Sequence, residues 1–309
     1  MISLVSALYD ELVHESADKR DELPLGSMGI YRCMRPQQIR EIPVHLPMLM
    51  LVLSGRKDVS VRNGRQLSVH SGELLILPAE TTLHITNYPA VPGKKYVGVA
   101  FAFDLEALRQ FRKVYGSSLH VWDTTPRWHS KCPMSILVAL RQWFQWCRYR
   151  DEADRQLVLH RQVELLLLLA QEGLSGNILL SEHPSWKQRV YHLLAMDPAH
   201  GWQVQDVCIR LGVSESSLRR RLQEEGVSFR EVLEEMRLVS GLALVQETYW
   251  TIGKIADAVG YQSQSRFGER FKRRFGMTPS ELRRTRVSGQ GNNVIKGDGW
   301  ETGIANDSA

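Results

Sequence analysis

Along residues 47–103 apolar and polar positions alternate in short runs, the period of half-buried strands. Val59 and Val61 precede Asn63-Gly64, and Leu67 and Val69 follow it. That dipeptide favours the tight turn of a hairpin. Ser71-Gly72 marks a second turn, and the apolar run 73–77 is stopped by Pro78. Leu83 and Ile85 alternate again, and 96–103 forms a further strand. Five or six short strands at this spacing predict a sandwich or small barrel. After Asp104 the period becomes helical. Asp104 is placed to cap a helix over 104–115 that ends at Gly116, and longer helices are predicted over 133–149 and 154–172. The second carries the run Leu165–Leu169 and is apolar nearly all round its later half, which calls for burial in the core or against a second subunit. Gly173, Ser175, Gly176 and Asn177 break it, and the domain boundary falls near Ser181–Pro184.

From Trp186 to Arg286 the pattern is almost entirely helical and contains an internal repeat. Val204, Val207, Cys208, Leu211 and Gly212 recur 48 positions later as Ile252, Ile255, Ala256, Val259 and Gly260. A serine suited to N-capping follows each glycine, Ser214 or Ser263. A second helix comes next, with core pairs Leu218/Leu222 and Phe267/Phe271, and Gly226 or Gly276 ends each unit. Helix, glycine turn and capped second helix make a helix-turn-helix. Cys208 and Ala256 are small enough for close helix contact. Gly212 and Gly260 supply a positive φ.

The faces opposite the core pairs are the candidate chemistry. Ser216, Arg219, Arg220 and Gln223 oppose Leu218/Leu222. Ser265, Gly268, Glu269 and Lys272 oppose Phe267/Phe271, with Gln264 in the first turn. Arg pairs with guanine, Gln with adenine, and Glu accepts from cytosine. We therefore assign base reading to Ser216, Arg219, Arg220, Gln223, Gln264, Ser265, Gly268 and Glu269, and phosphate contacts to Arg221, Ser263, Lys272, Arg273 and Arg274. Between the repeats, Ser228-Phe229-Arg230-Glu231 is a capping box opening one long helix to about Gln246. About 18 residues span roughly 27 Å, comparable to the ~34 Å between successive major-groove faces. Thr278-Pro279-Ser280-Glu281 is a further capping box. An αα-repeat interaction domain is the plainer alternative, but two in-register copies joined by a capped helix argue for DNA.

The 309 residues suffice for two domains, and 43% hydrophobic with 24% charged residues is ordinary globular composition. No apolar run approaches the ~20 residues of a membrane span. The start Met1-Ile2-Ser3 lacks the basic segment of a signal peptide. Cys33, Cys132, Cys147 and Cys208 have neither disulfide nor metal spacing, so a cytoplasmic, reducing location is expected. Net charge is +5, and residues 262–275 hold five basic residues, including Arg266 and Arg270, against Glu269 alone. A basic helix of this kind suits a polyanion. The Gly-, Ser- and Asn-rich residues 287–309 predict a disordered tail.

The run from Ile252 through Ile255-Ala256, Gly260, Ser263, Phe267, Arg270-Phe271-Lys272-Arg273, Phe275-Gly276 and Thr278-Pro279 to Arg283 resembles the signature of AraC/XylS-type transcription regulators. The resemblance spans about 100 residues, from near Lys187 to Arg286. Cys208 stands where Ala is usual, and Glu269 where Arg is a common variant. The stretch from Leu53 to Val59, leading to 72–78, is similar to the cupin-like regulatory halves of that family. The resemblance implies recognition helices in adjacent major grooves of double-stranded DNA. It also implies transcription regulation, often activation through RNA polymerase, and an N-terminal domain that responds to a small-molecule effector.

The expected architecture is a two-domain chain: an all-β cupin-like sandwich with following helices over 1–181, which also dimerises, and an all-α double helix-turn-helix over 182–286. The homodimer is expected through the helices of 133–172. No membrane partner, enzyme activity, cofactor or metal is expected. A cupin-type metalloenzyme is the rival reading, but Pro47 occupies the second position of the His-x-His pair that His45 would begin, and His70 and His84 stand apart. A nucleophile elbow and a phosphate-binding glycine loop are missing. The Trp143, Phe144 and Trp146 cluster suits a core or interface, and the cysteines suit inert thiols better than sensors. A regulator governed by a protein partner, without a small ligand, is the other alternative.

Overall fold

The computed structural model describes residues 2–14, 28–62, 64–91, 93–148, 154–179 and 184–286. Asn63 of the hairpin turn, boundary residues 181–183 and the tail 287–309 lie outside them, as does the side chain of Cys147. Helix α1 (Ile2–His14) precedes nine strands: β1 (Met28–Cys33), β2 (Gln37–Val44), β3 (Met48–Ser54), β4 (Arg56–Val61), β5 (Gln66–His70), β6 (Glu73–Leu77), β7 (Thr81–Tyr88), β8 (Tyr96–Ala102) and β9 (His129–Lys131). Helices α2 (Leu105–Tyr115), α3 (Met134–Arg148), α4 (Arg155–Gln171) and α5 (Gly176–Leu179) complete the N-terminal half. The C-terminal half holds α6 (Trp186–Ala195), α7 (Val204–Leu211), α8 (Glu215–Glu224), α9 (Phe229–Glu247), α10 (Ile252–Ala258), α11 (Gln264–Phe275) and α12 (Pro279–Arg284).

Two antiparallel sheets form the sandwich, ordered β1-β8-β3-β6-β9 and β2-β7-β4-β5. The first sheet is covered on both faces, which explains its nearly unbroken apolar strands. Leu49, Leu51, Leu74, Ile76, Val99 and Phe101 point to helices α1 to α5, and Met50, Val52, Leu75, Leu77 and Ala100 to the second sheet. The expected hairpin is present, with Val59 opposite Leu67. Strands β1, β2 and β9 and helix α1 were not expected. In β2 the register shifts between Ile39 and Ile42, and Glu41 takes φ +49, so a bulge erases the alternation that would mark a strand.

Two local expectations change. Asp104 stands at the N-cap of α2 but makes no side-chain cap bond. It accepts from Gln162 Nε2 at 3.2 Å and its N–H donates to Gln162 Oε1 at 2.7 Å, tying α2 to α4. Gly116 is right-handed (φ −57), and the chain continues into a 3-10 turn over Gly116–Val121. The leucines of α4 are accounted for within the chain: Leu165, Leu166 and Leu169 are buried with Leu74, Phe101 and Trp143. The apolar surplus from which a dimer was inferred is therefore largely spent on the chain's own sheet.

The two halves share a core. The second helix-turn-helix (Ile255, Phe267, Phe271, Phe275, Leu282) belongs to one buried cluster with the sandwich interior (Cys33, Ile39, Leu75, Leu83), whereas the first (Val207, Leu218, Leu222) has its own.

Candidate nucleic-acid interface

Each helix-turn-helix forms as its repeat requires. In the first, Gly212 ends α7 at φ +66 and the Ser214 hydroxyl accepts the Ser217 N–H at 3.2 Å. In the second, Gly260 has φ +78 and the Ser263 hydroxyl accepts the Arg266 N–H at 3.2 Å. Leu218 and Leu222 of α8, and Phe267 and Phe271 of α11, are buried and turn the opposite faces outward. Helix α9 joins the units with 19 residues, about 28 Å. Its capping box is formed: Ser228 Oγ accepts the Glu231 N–H, and Glu231 Oε2 accepts the Ser228 N–H at 2.7 Å.

The base-reading candidates divide as follows. Ser216, Arg219, Arg220 and Gln223 on α8, and Gln264, Ser265 and Glu269 on α11, are exposed, while Gly268 is half-buried. Arg219 pairs with Glu215 at 2.5 Å and Arg220 with Glu224 at 3.5 Å, one turn apart in each case. Such exposed pairs are worth little and can be exchanged for a stronger acceptor.

The phosphate candidates divide more sharply. Lys272 is exposed and forms no salt bridge among the described residues, and the same holds for Arg266, which the wheel did not assign. Arg273 is exposed and reaches Glu234 at 3.4 Å, where Arg270 also lies at 3.3 Å. Arg221 is half-buried with its guanidinium 4.1 Å from the Trp186 ring centre, a packing role. Ser263 spends its hydroxyl on the cap. Arg274 turns inward: its Nε donates to the Glu41 carbonyl at 3.0 Å and its Nη2 to Glu235 Oε2 at 2.7 Å. The β2 bulge frees that carbonyl from the ladder, so Arg274 is a joint between the halves.

More polar groups meet at this joint. Glu235 Oε1 lies 2.7 Å from Lys187 Nζ and 3.3 Å from His45 Nε2. His45 stacks on Tyr191 at 3.5 Å between ring centres. Burial, with the cations of Lys187 and Arg274 and the neighbouring His192, holds the His45 imidazole well below the usual histidine range. Across the sandwich, Lys57 is buried and donates to Asn87 Oδ1 at 2.6 Å. Asn87 Nδ2 donates to Gln37 Oε1 at 3.1 Å, and Gln37 Nε2 donates to Thr285 Oγ1 at 2.6 Å. This polar chain runs from between the sheets to the C-terminus of the second motif. Burial lowers the Lys57 amine to about 7. The sequence signal for it was a lysine at an inward position of β4.

The remaining candidates are structural. Burial pushes the Cys33 and Cys132 thiols up to about 12, far from a reactive thiolate. His84 pairs with Glu41 at 3.0 Å on the second sheet. Among the described residues no three His, Cys, Asp or Glu side chains are grouped to hold a metal ion, and no helix is long and apolar enough to cross a membrane.

A helix-clad sandwich followed by two helix-turn-helix units, with polar faces outward, is the build of a two-domain transcriptional regulator. Residues 24–169 match the family model for the AraC-type transcriptional regulator N-terminus, and residues 207–285 match a helix-turn-helix domain model. The chain belongs to the AraC family of transcriptional regulators, with an N-terminal regulatory domain. It is 27% identical over 248 residues to the urease operon transcriptional activator of Escherichia coli, covering 76% of this chain and 82% of that protein. The HTH-type transcriptional regulator YdeO of Escherichia coli (strain K12) is 33% identical over 94 residues, 30% of this chain and 37% of that protein, so this chain spans little more than a third of YdeO. The structure of ToxT from Vibrio cholerae aligns over 84% of this chain and 98% of that one with TM-score 0.58 and 15% identity, a likeness of fold.

Proposed function

We propose that the protein binds an asymmetric site on double-stranded DNA, with α8 and α11 in successive major grooves, and sets transcription of neighbouring genes through contact with RNA polymerase. The observation that carries this is the paired geometry: two capped helices, each burying one apolar face and exposing polar side chains suited to base edges, in units joined by α9, itself about 28 Å long. The N-terminal half is the sensing arm. The joint at Arg274, Glu235 and His45 gives it a direct hold on the second motif. ToxT has been solved with an unsaturated fatty acid bound, which supports a small-molecule effector for this chain too. A cytoplasmic location and a homodimer accompany this reading.

Salt titration tests which face meets DNA. Each phosphate contact contributes about 0.9 to the slope of log affinity against log salt. Lys272→Ala and Arg266→Ala should each flatten the slope by about that amount on specific and random duplexes alike. Arg274→Ala should leave it unchanged, because its guanidinium faces Glu41 and Glu235. Unchanged slopes for Lys272→Ala and Arg266→Ala would show that α11 does not present this face to the backbone.

A further inference from the structure

Helix α9 changes cores halfway along. Val232 and Met236 are buried with the first motif, and Leu238, Leu242 and Val245 with the second. Arg237 stands at the crossing. Its Nε donates to the Pro198 carbonyl at 3.3 Å and its Nη2 to the His200 carbonyl at 3.1 Å, both in the loop leading to α7 of the first motif. The same guanidinium lies against the turn of the second motif: a Cβ on Gly260 would come within 2.7 Å of Nη2, 2.8 Å of Cζ and 2.9 Å of Nε. Gly260 thus serves twice, for its positive φ and for the space it leaves to Arg237.

Apolar packing on α9 is non-directional and lets each motif slide or roll on its stripe. Hydrogen bonds from a planar, forked cation are directional. Arg237 holds the loop of one motif with its donors while its flat group fills the turn of the other, so it ties the rotation of each to the same point on α9.

We propose that Arg237 is a positioning residue that fixes the separation and relative rotation of the two recognition helices, and so restricts the protein to one spacing between its two half-sites. This rests on the two-groove reading above. One extra base pair moves the second half-site by about 3.4 Å and about a tenth of a turn, a displacement a rigid pair of helices cannot follow.

The test uses the full chain. Selection on a randomised duplex pool yields its preferred sequence, and two further duplexes carry one base pair more or less between the half-sites. The wild type should lose at least about tenfold in affinity on either altered duplex, and Arg237→Ala should bind all three within about threefold. Base preference within each half-site should be unchanged in Arg237→Ala, which a generally loosened domain would not achieve. Arg237→Lys, a point charge without the planar fork, should fall between. Should Arg237→Ala not fold, the spacing ratio of Arg237→Lys and Arg237→Gln decides. Spacing discrimination as sharp as wild type in any folded variant overturns the role of Arg237. Indifference of the wild type itself overturns the two-groove reading and this inference with it.

Discussion

Lys57 occupies an inward position of β4, between Arg56 and Asp58, where its strand neighbours Val59 and Val61 are buried and apolar. Its amine titrates near 7 in the folded chain against 10.5 when exposed, because burial disfavours the charge. The unfolded chain therefore binds more protons between those values, and stability rises with pH across that window. Urea unfolding of the wild type should gain up to about 1.4 kcal/mol per pH unit above 7 from this group. Lys57→Met should lose that gain, so the difference between the two proteins should change with pH. A pH-independent difference would mean that the amine is charged in the folded chain. Single residues also show the limit of reading a helix by its wheel. The wheel places Arg219, Arg220 and Lys272 correctly outward. Arg221 and Arg274, assigned to phosphate outside the wheel, have the partners Trp186, Glu41 and Glu235, which come from segments that no local pattern connects to them.

Helix elements are legible wherever caps and period agree. The repeat offset, the capping boxes at Ser228 and Thr278 and the serines before α8 and α11 all take the expected conformation, because each depends on residues three or four apart. Strands β1 and β2 were not legible: a bulge at Glu41 and a half-covered edge break the alternation. Helix α4 was legible as buried, but not as to what buries it, since periodicity does not distinguish the chain's own sheet from a second subunit. With Leu165, Leu166 and Leu169 inside, the helix pair leaves Met134, Val138 and Leu157 as its exposed large apolar side chains among the described residues. Sedimentation velocity should therefore find that any dimer built on α3 and α4 dissociates in the micromolar range. A dimer that persists at nanomolar concentration would require a different face.

Over the whole molecule, division into two domains was readable from the change of period, but their union was not. The sandwich interior and the second helix-turn-helix form one buried cluster, and Gln37, Glu41 and His45 each bond or pair with the C-terminal half. The first motif keeps its own core, and the sandwich meets that core through the stacking of His45 on Tyr191 of α6. What makes the molecule a regulator in this view is the pair of outward faces on α8 and α11. Base preference of single variants reads those faces most directly. Arg219→Ala should relax preference at one position of one half-site, costing about 1–3 kcal/mol on the preferred sequence. Glu269→Ala should relax a position in the other half-site, about one helical turn away. Loss confined to separate half-sites is the outcome expected of two helices in successive grooves. Preferences unaltered in both variants, or both changes falling in the same half-site, would contradict it.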